Sequence, residues 1–392
     1  MTYGILMRRG RAAVVVVALL GTMAAWSDEI FFKVYSDGWT VPIRAEAALK
    51  AEPLVASKSF TTNGITFNIT YGDDGTGQGF DDPVQGADRK ARVESALTTV
   101  AAALNETGEL DVLVEQSVVF PGNTLAVGGT FFSSAVQFSN GSAFQRIQSG
   151  TKPFENVPEM FVQFDFTNNF YAGENPAGLV SGQTDLETVL LHEFTHGLGF
   201  LSVSDSSGIS QIRDEENNPF PGVFTVWDSL MLRGTGSGSF NLFVGPSPNL
   251  GETFQGTPGD LVSNDLYFSG AESTGVFGGN PPVYAPSTFS SGSSLSHWDT
   301  GNVPFSAVME HVIFAGEISR DYPDFERVAL YDLGWSNVST TPPPPPPAPD
   351  NTPFPPPPAS GVPVGSALGL VLLATIILAM GIGLRRIASQ HG

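Results

Sequence analysis

The stretch TDLETVLLHEFTHGLGF, residues 184–200, decides how this chain is read. Thr184 followed three residues later by Glu187 is the pattern of a capping box, in which the threonine closes the helix start and the glutamate reaches back to it. Leu186, Leu190 and Phe194 then recur on one face, so a helix is expected to run from here to about Gly197. His192 and His196 lie four apart on it, and histidines at that spacing project from the same side, within reach of a single zinc ion. Glu193 stands beside the first of them and would face a water on the metal instead of the metal itself. A carboxylate base next to an acidified water is the chemistry of peptide hydrolysis. A structural pair of histidines on a helix is the competing reading. The chain has only five histidines, at 192, 196, 297, 311 and 391, and two of them flanking a glutamate at this spacing argues against coincidence.

A catalytic zinc takes three protein ligands and keeps an open position. In the extended pattern HExxHxxGxxH the third histidine follows a turn glycine by three residues. Gly199 is present here, but the later position is Ser202. The other histidine within the domain with supporting context is His297, in Ser296-His297-Trp298-Asp299, with Met309 twelve residues on. A downstream glutamate is an alternative third ligand, and Glu272 offers one, although it sits in a Gly/Ser-rich stretch.

HEFTHGLGF, a long insertion, SHW, a methionine turn and a closing segment Glu317 to Trp335 ending ALYDLGW together resemble the leishmanolysin-type metzincins, as a bacterial secreted relative. The similarity is good over 184–200 and 294–335. It implies an α+β zinc protease domain with a twisted mixed sheet, an active-site helix and a loop-rich C-terminal subdomain. It further implies His192, His196 and His297 as ligands of one catalytic Zn2+, Glu193 as general base, Gly199 as the turn glycine and Met309 as the methionine beneath the metal. His311, two residues after Met309, stands where some metzincins place a tyrosine; a protonatable imidazole there could steady a tetrahedral intermediate, or simply pack. Asp299 could orient a ligand histidine, or cap the following turn. Leishmanolysins also carry disulfides and a propeptide cysteine that holds the zinc site inactive. This chain has no cysteine, so latency must come from another residue or not exist.

The remaining sequence sets the context. Without cysteine there is no disulfide scaffold, thiol nucleophile or zinc finger. Arg8, Arg9 and Arg11, the apolar run Ala12 to Leu20 and a small-x-small site before Asp28 have the layout of a secretory signal peptide over 1–27. The metallopeptidase domain is expected over 28–336, followed by a proline-rich linker over 337–361. An uncharged span over 362–384 is long enough to cross a membrane, and Arg385-Arg386 opens a cytoplasmic tail over 385–392. That ending is similar to exosortase-type sorting tails, and it predicts an exported protein anchored at the cell surface by one transmembrane helix. Residues 28–341 keep 38 of the 39 acidic side chains and 13 of the 18 basic ones, a net charge of −25. Such a surface excludes a nucleic-acid partner and leaves a protein or peptide substrate and the membrane; oligomeric state is not encoded. Asp73, Asp74, Asp81 and Asp82 flank a glycine-rich loop and could hold Ca2+, though their spacing is not that of an EF-hand. A solvated acidic loop is the other reading.

Ile65 to Tyr71 alternates as a strand, with further strands expected at Val112 to Phe120 and Phe161 to Phe166. Val93, Leu97, Val100 and Leu104 mark a helix over 88–105. After Phe200 nearly a hundred residues rich in Gly, Ser, Asn and Pro predict loops and short strands. A substrate peptide is expected to lie extended along an edge strand just before the active-site helix. Two functions fit: a zinc-dependent endopeptidase, or an adhesion protein of the surface or matrix that keeps its metal for structure alone.

Overall fold

The computed structural model describes residues 30–36, 40–44, 53–117, 124–133, 138–212, 223–247, 251–304, 306–335 and 362–363. The expected signal peptide, linker and cytoplasmic tail lie outside the described residues. So does the expected span beyond Val362–Pro363, which pairs antiparallel with Val312–Ile313. Among the described residues no helix is long and apolar enough to cross a membrane.

Seven strands form the main sheet: β1 Ile30–Tyr35, β2 Thr40–Arg44, β3 Lys58–Thr62, β4 Ile65–Tyr71, β5 Gly108–Gln116, β6 Ala126–Ser133 and β7 Met160–Phe164. Their order is β2-β1-β6-β7-β5-β4-β3. β4, β5 and β7 run parallel, and every other pairing is antiparallel. β3 and β4 join through Asn63 and Gly64, both at positive φ, which gives the tight turn whose twist suits a hairpin. β4 buries Ile65, Phe67, Ile69 and Tyr71, every second residue, as its alternation predicts. Helix α1, Gly86–Leu104, makes the crossover that parallel strands require, and it buries Val93, Leu97, Val100 and Leu104. It ends where Asn105 turns left-handed.

Helix α2 spans Ser142–Ser149 and α3 spans Leu186–Gly197. α3 is buried along its whole length against α1, β6 and β7. The last main-sheet strand before it, β7, is not an edge: β5 and β6 flank it, and β1 covers β6 in turn. The short strand Thr184–Asp185 directly ahead of the helix pairs, among the described residues, only with Phe170–Tyr171. The N-terminal hairpin β1–β2 adds two strands beyond β6, so the edge of the main sheet on that side is β2.

The second region is built of smaller pieces, as its composition predicts. β8 Met231–Arg233, β9 Phe240–Asn241, β10 Leu266–Phe268 and β11 Pro282–Val283 make a sheet in the order β9-β8-β10-β11. Helices α4 Val226–Ser229, α5 Ala271–Phe277 and α6 Asp324–Asp332 complete it. α6 is shorter than the closing segment expected over 317–335. Pro323 sits at its N-cap, where its fixed φ and missing N–H set the helix start. Side chains do the joining here: Phe200 meets Trp227 at 4.0 Å and Trp298 at 5.0 Å between ring centroids, and Trp227 stacks on Phe268 at 4.5 Å.

Candidate metal centre

Helix α3 is held at its start by a buried ion-pair network. The N-cap is Asp185, not Thr184: its Oδ2 accepts from Thr188 N at 3.0 Å. Thr184 instead pairs with Phe170 in a short parallel bridge. Glu187 does not close a capping box either. It takes Arg92 of α1 at 2.7 Å and Arg320 at 3.1 Å. Arg320 also grips Asp185 with Nε at 2.9 Å and Nη2 at 2.5 Å, so one guanidinium ties the helix start to the chain just before α6.

At the other end Gly199, φ +94°, turns the chain so sharply that Phe200 O comes back onto His196 Nδ1 at 2.7 Å. Only glycine adopts that backbone without strain. His192 Nδ1 lies 2.7 Å from Val308 O, and His297 Nδ1 lies 2.8 Å from Ser293 O. A carbonyl can only accept, so each imidazole carries its proton on Nδ1 and leaves a bare lone pair on Nε2. Those three Nε2 atoms converge, with separations of 3.1, 3.1 and 3.2 Å. Three lone pairs cannot hydrogen-bond one another; a cation between them removes the repulsion. Tetrahedral zinc with Zn–N bonds of about 2.0–2.1 Å would set its ligand nitrogens about 3.3 Å apart, so the donor set fits.

All three rings are fully buried. Burial pushes His192 down to about 4 and holds His196 and His297 well below the usual histidine value, which keeps them neutral and able to ligate. Among the described residues this is the one cluster of three or more His, Asp or Glu side chains close enough to share an ion. Glu272 is exposed on α5 and takes no part. Ser202, where the extended pattern would place its third histidine, hydrogen-bonds through its N–H to Ser296 Oγ at 2.9 Å. The long insertion therefore returns its own histidine, one residue later, to that neighbourhood.

Sequence reasoning missed the residue that sets this half of the site. Glu326 of α6 is fully buried and accepts three hydrogen bonds: Trp298 Nε1 at 2.9 Å, Val308 N at 2.7 Å and Met309 N at 2.7 Å. It thus fixes the neighbour of His297 and the peptide whose carbonyl holds His192. Burial, offset in part by those donors, raises its carboxyl to about 7. The signal for it was an acidic residue on the inward face of an apolar helix. Met309 is fully buried in the same turn, its O accepting from Trp298 N at 2.9 Å. Leu295, two residues before His297, has φ +71°, a conformation leucine rarely adopts. It is held there because its N–H reaches Tyr284 O at 2.9 Å and its O takes Trp227 Nε1 at 2.6 Å.

A family model described as SPBPB7E8-like matches residues 143–218. That segment contains α3 with both of its histidines, and it is a minor part of the chain. No curated protein and no solved structure matches.

Other expected site residues fall elsewhere. Asp299 binds Asn302 Nδ2 at 2.7 Å in a local turn and orients no ligand; backbone carbonyls orient all three rings. His311 stacks flat on Tyr284 at 3.5 Å and shares a hydrogen bond with Thr300 Oγ1 at 2.8 Å. Burial lowers it to about 4, so it packs as a neutral ring and carries no positive charge to offer an oxyanion near neutral pH. The four aspartates of the glycine-rich loop are occupied by their own surroundings. Asp73 accepts from Phe80 N at 2.9 Å and Gln116 N at 3.0 Å, and Asp81 from Gly75 N at 3.0 Å and Gly77 N at 2.9 Å. Asp82 takes Val84 N and Gln85 N at 2.8 Å each ahead of α1, and Asp74 pairs with Lys90 at 2.8 Å. They staple the loop instead of converging on a calcium ion.

Proposed function

We propose that this chain is a zinc-dependent endopeptidase of metzincin type, similar to the leishmanolysins, exported and tethered at the cell surface by its C-terminal segment. The observation that carries the reading is a donor set of three neutral imidazoles, with no fourth His, Asp or Glu joining them among the described residues and a carboxylate next in line on the same helix. A structural zinc site is closed by a fourth protein ligand, whereas a catalytic one leaves a position free.

Zinc held there would polarise a water and a substrate carbonyl at neutral pH. The chain supplies the rest. His192, His196 and His297 stay neutral and fixed because each Nδ1–H is spent on a carbonyl. Glu193 takes the proton of the attacking water and passes it to the departing amine nitrogen. Burial of all four side chains keeps bulk water from competing.

Glu193→Gln is the direct test. Expected is a protein that folds and binds one zinc but no longer cleaves a mixed peptide library. Undiminished cleavage by that variant would remove Glu193 from the mechanism. The full burial of His192, Glu193, His196 and His297 favours a second reading, an adhesion protein with a structural metal. Zinc-loaded wild-type protein that cleaves no peptide even after a protease cut within the exposed coil 53–57 has freed the hairpin β1–β2 would favour it.

A further inference from the structure

α3 is crossed by β6. A Cβ added to Gly128 would fall 2.8 Å from Glu193 Cβ, so this strand touches the helix at the catalytic carboxylate's own residue. The opposite edge of β6 carries β1, antiparallel, from Phe31 opposite Ser133 to Tyr35 opposite Gly129. The chain then continues the pairing one residue further. Ser36 N donates to Gly128 O at 2.7 Å, and its hydroxyl accepts from Gly128 N at 3.3 Å and donates to Glu193 Oε2 at 3.2 Å. From the end of the hairpin, Thr40 Oγ1 donates to Gln211 O at 2.7 Å. The hairpin therefore bridges the main sheet and the insertion on either side of the site.

Resting on the endopeptidase reading, in which an extended substrate lies along a strand edge beside the active-site helix, we propose that β1 with Ser36 occupies the outer edge of β6 as a plug that keeps the site latent. The Ser36 hydroxyl stands at hydrogen-bond distance from Glu193, which is where a reacting water must stand for that carboxylate to take its proton. A strand edge binds any extended chain through its main-chain groups, so what β1 does a substrate can do. Gly129 fits the role: a side chain there would run into Val34 O, so β6 is shaped for a backbone approaching closely. The plug is held by Phe32 and Val34, both fully buried. It leads towards β3 through residues of which 53–57 are exposed coil, so a cut there separates the hairpin from the domain. In a chain without cysteine, this contact takes the place of a thiol on the metal.

The absence of cysteine also supplies a clean test. Lys33 and Phe131 are opposite each other in the β1–β6 register, so Lys33→Cys with Phe131→Cys can form one disulfide and no other. Phe31→Cys with Ser133→Cys, another opposed pair, serves if the first does not fold. The full chain is loaded with cobalt(II), and two rates are read, oxidised and reduced: cobalt loss to a chelator, and cleavage of a peptide library. Expected is at least about tenfold slower cobalt loss and at least about tenfold slower cleavage in the oxidised form, both restored by reductant, because a locked plug leaves almost no open population. Equal cleavage in both forms overturns the plug and leaves the endopeptidase reading standing. Slower cobalt loss on oxidation, with no cleavage in either form and none after a protease cut within 53–57 has freed the hairpin of the reduced form, keeps the plug and overturns the endopeptidase reading. Equal cobalt loss, with no cleavage even after that cut, overturns both.

Discussion

The two halves of the candidate metal centre are held by different physics. His192 and His196 sit on one helix turn, and their spacing follows from 3.6 residues per turn; the sheet and α1 need only keep α3 in place. His297 sits in a loop of the second region, with Leu295 at positive φ and Trp298 pinned by Glu326, so its position depends on side chains far away in sequence. The first arrangement survives small shifts of its surroundings. The second is only as good as the network around it.

Metal removal should separate the halves most clearly. Stripping the ion is expected to lower amide protection over 284–311, while β4, β5 and β7 keep theirs in hydrogen-exchange measurements. Equal losses in both regions would mean that the helix, too, depends on the metal. His297→Ala should reproduce the same local loosening and weaken zinc binding by about 100-fold or more in a competition assay.

Next in size is Glu326→Ala, which leaves three buried donors without their acceptor. At about 1–3 kcal/mol for each unmet group, and less than their sum after relaxation, a loss of about 4 kcal/mol is expected in urea unfolding. Zinc affinity should fall by about 10–100-fold. Asp185→Ala acts on the other half: it removes the cap of α3 and the partner of Arg320, for about 3 kcal/mol. Zinc affinity should change far less, because the packed helix keeps both histidines in register. A large loss of affinity in that variant would erase the distinction between the halves.

The smallest effect is with pH. Burial raises Glu317 and Glu326 to about 7, and burial with the neighbouring charges of Glu317 and Glu326 raises Glu310 to about 8. In the sheet region Glu159 is likewise raised by burial to about 7. Folded values above the unfolded one mean that the native chain holds protons which the unfolded chain releases. Their stabilising contribution is complete below about pH 4.5 and is lost as pH climbs towards 8. The buried histidines, lowered in the fold, act in the opposite sense below their ordinary value near 6.5, so the carboxyl trend is read above it. Metal-free protein should melt at a lower temperature at pH 8 than at about pH 6.5, with the second region loosening first in exchange experiments.

The same contrast governs what could be read from the chain alone. β4 and α1 were legible because period-2 and period-3.6 patterns are local, and α3 because its apolar face and histidines share one period. The hairpin β3–β4 carried a readable signal in Asn63-Gly64 that went unused. The sequence pattern puts β5 and β7 a few residues late: β5 begins at exposed Gly108 and Glu109, where no apolar residue marks its start, and β7 buries both faces, which blurs its ends. Glu326 and Ser36 were illegible for a different reason. Each acts on partners distant in sequence, Glu326 on Trp298 and Val308, Ser36 on Glu193, and no periodicity encodes such a meeting. Thr184 was read as the cap although Asp185, also a good capping residue, stood beside it; the choice is settled by Arg320, which needs the carboxylate.

The third imidazole of the cluster, His297, lies 101 residues beyond His196. At synthesis rates of about 5–20 residues per second, a chain that emerges from its N-terminus exposes the helix pair roughly 5–20 s before His297 follows. During that interval two imidazoles alone face any metal present, and the cost of closing so long a loop has yet to be met. On the proposed reading, tight loading would therefore be an event of the finished chain, and a molecule that held an ion firmly would be one whose second region had already been made and folded.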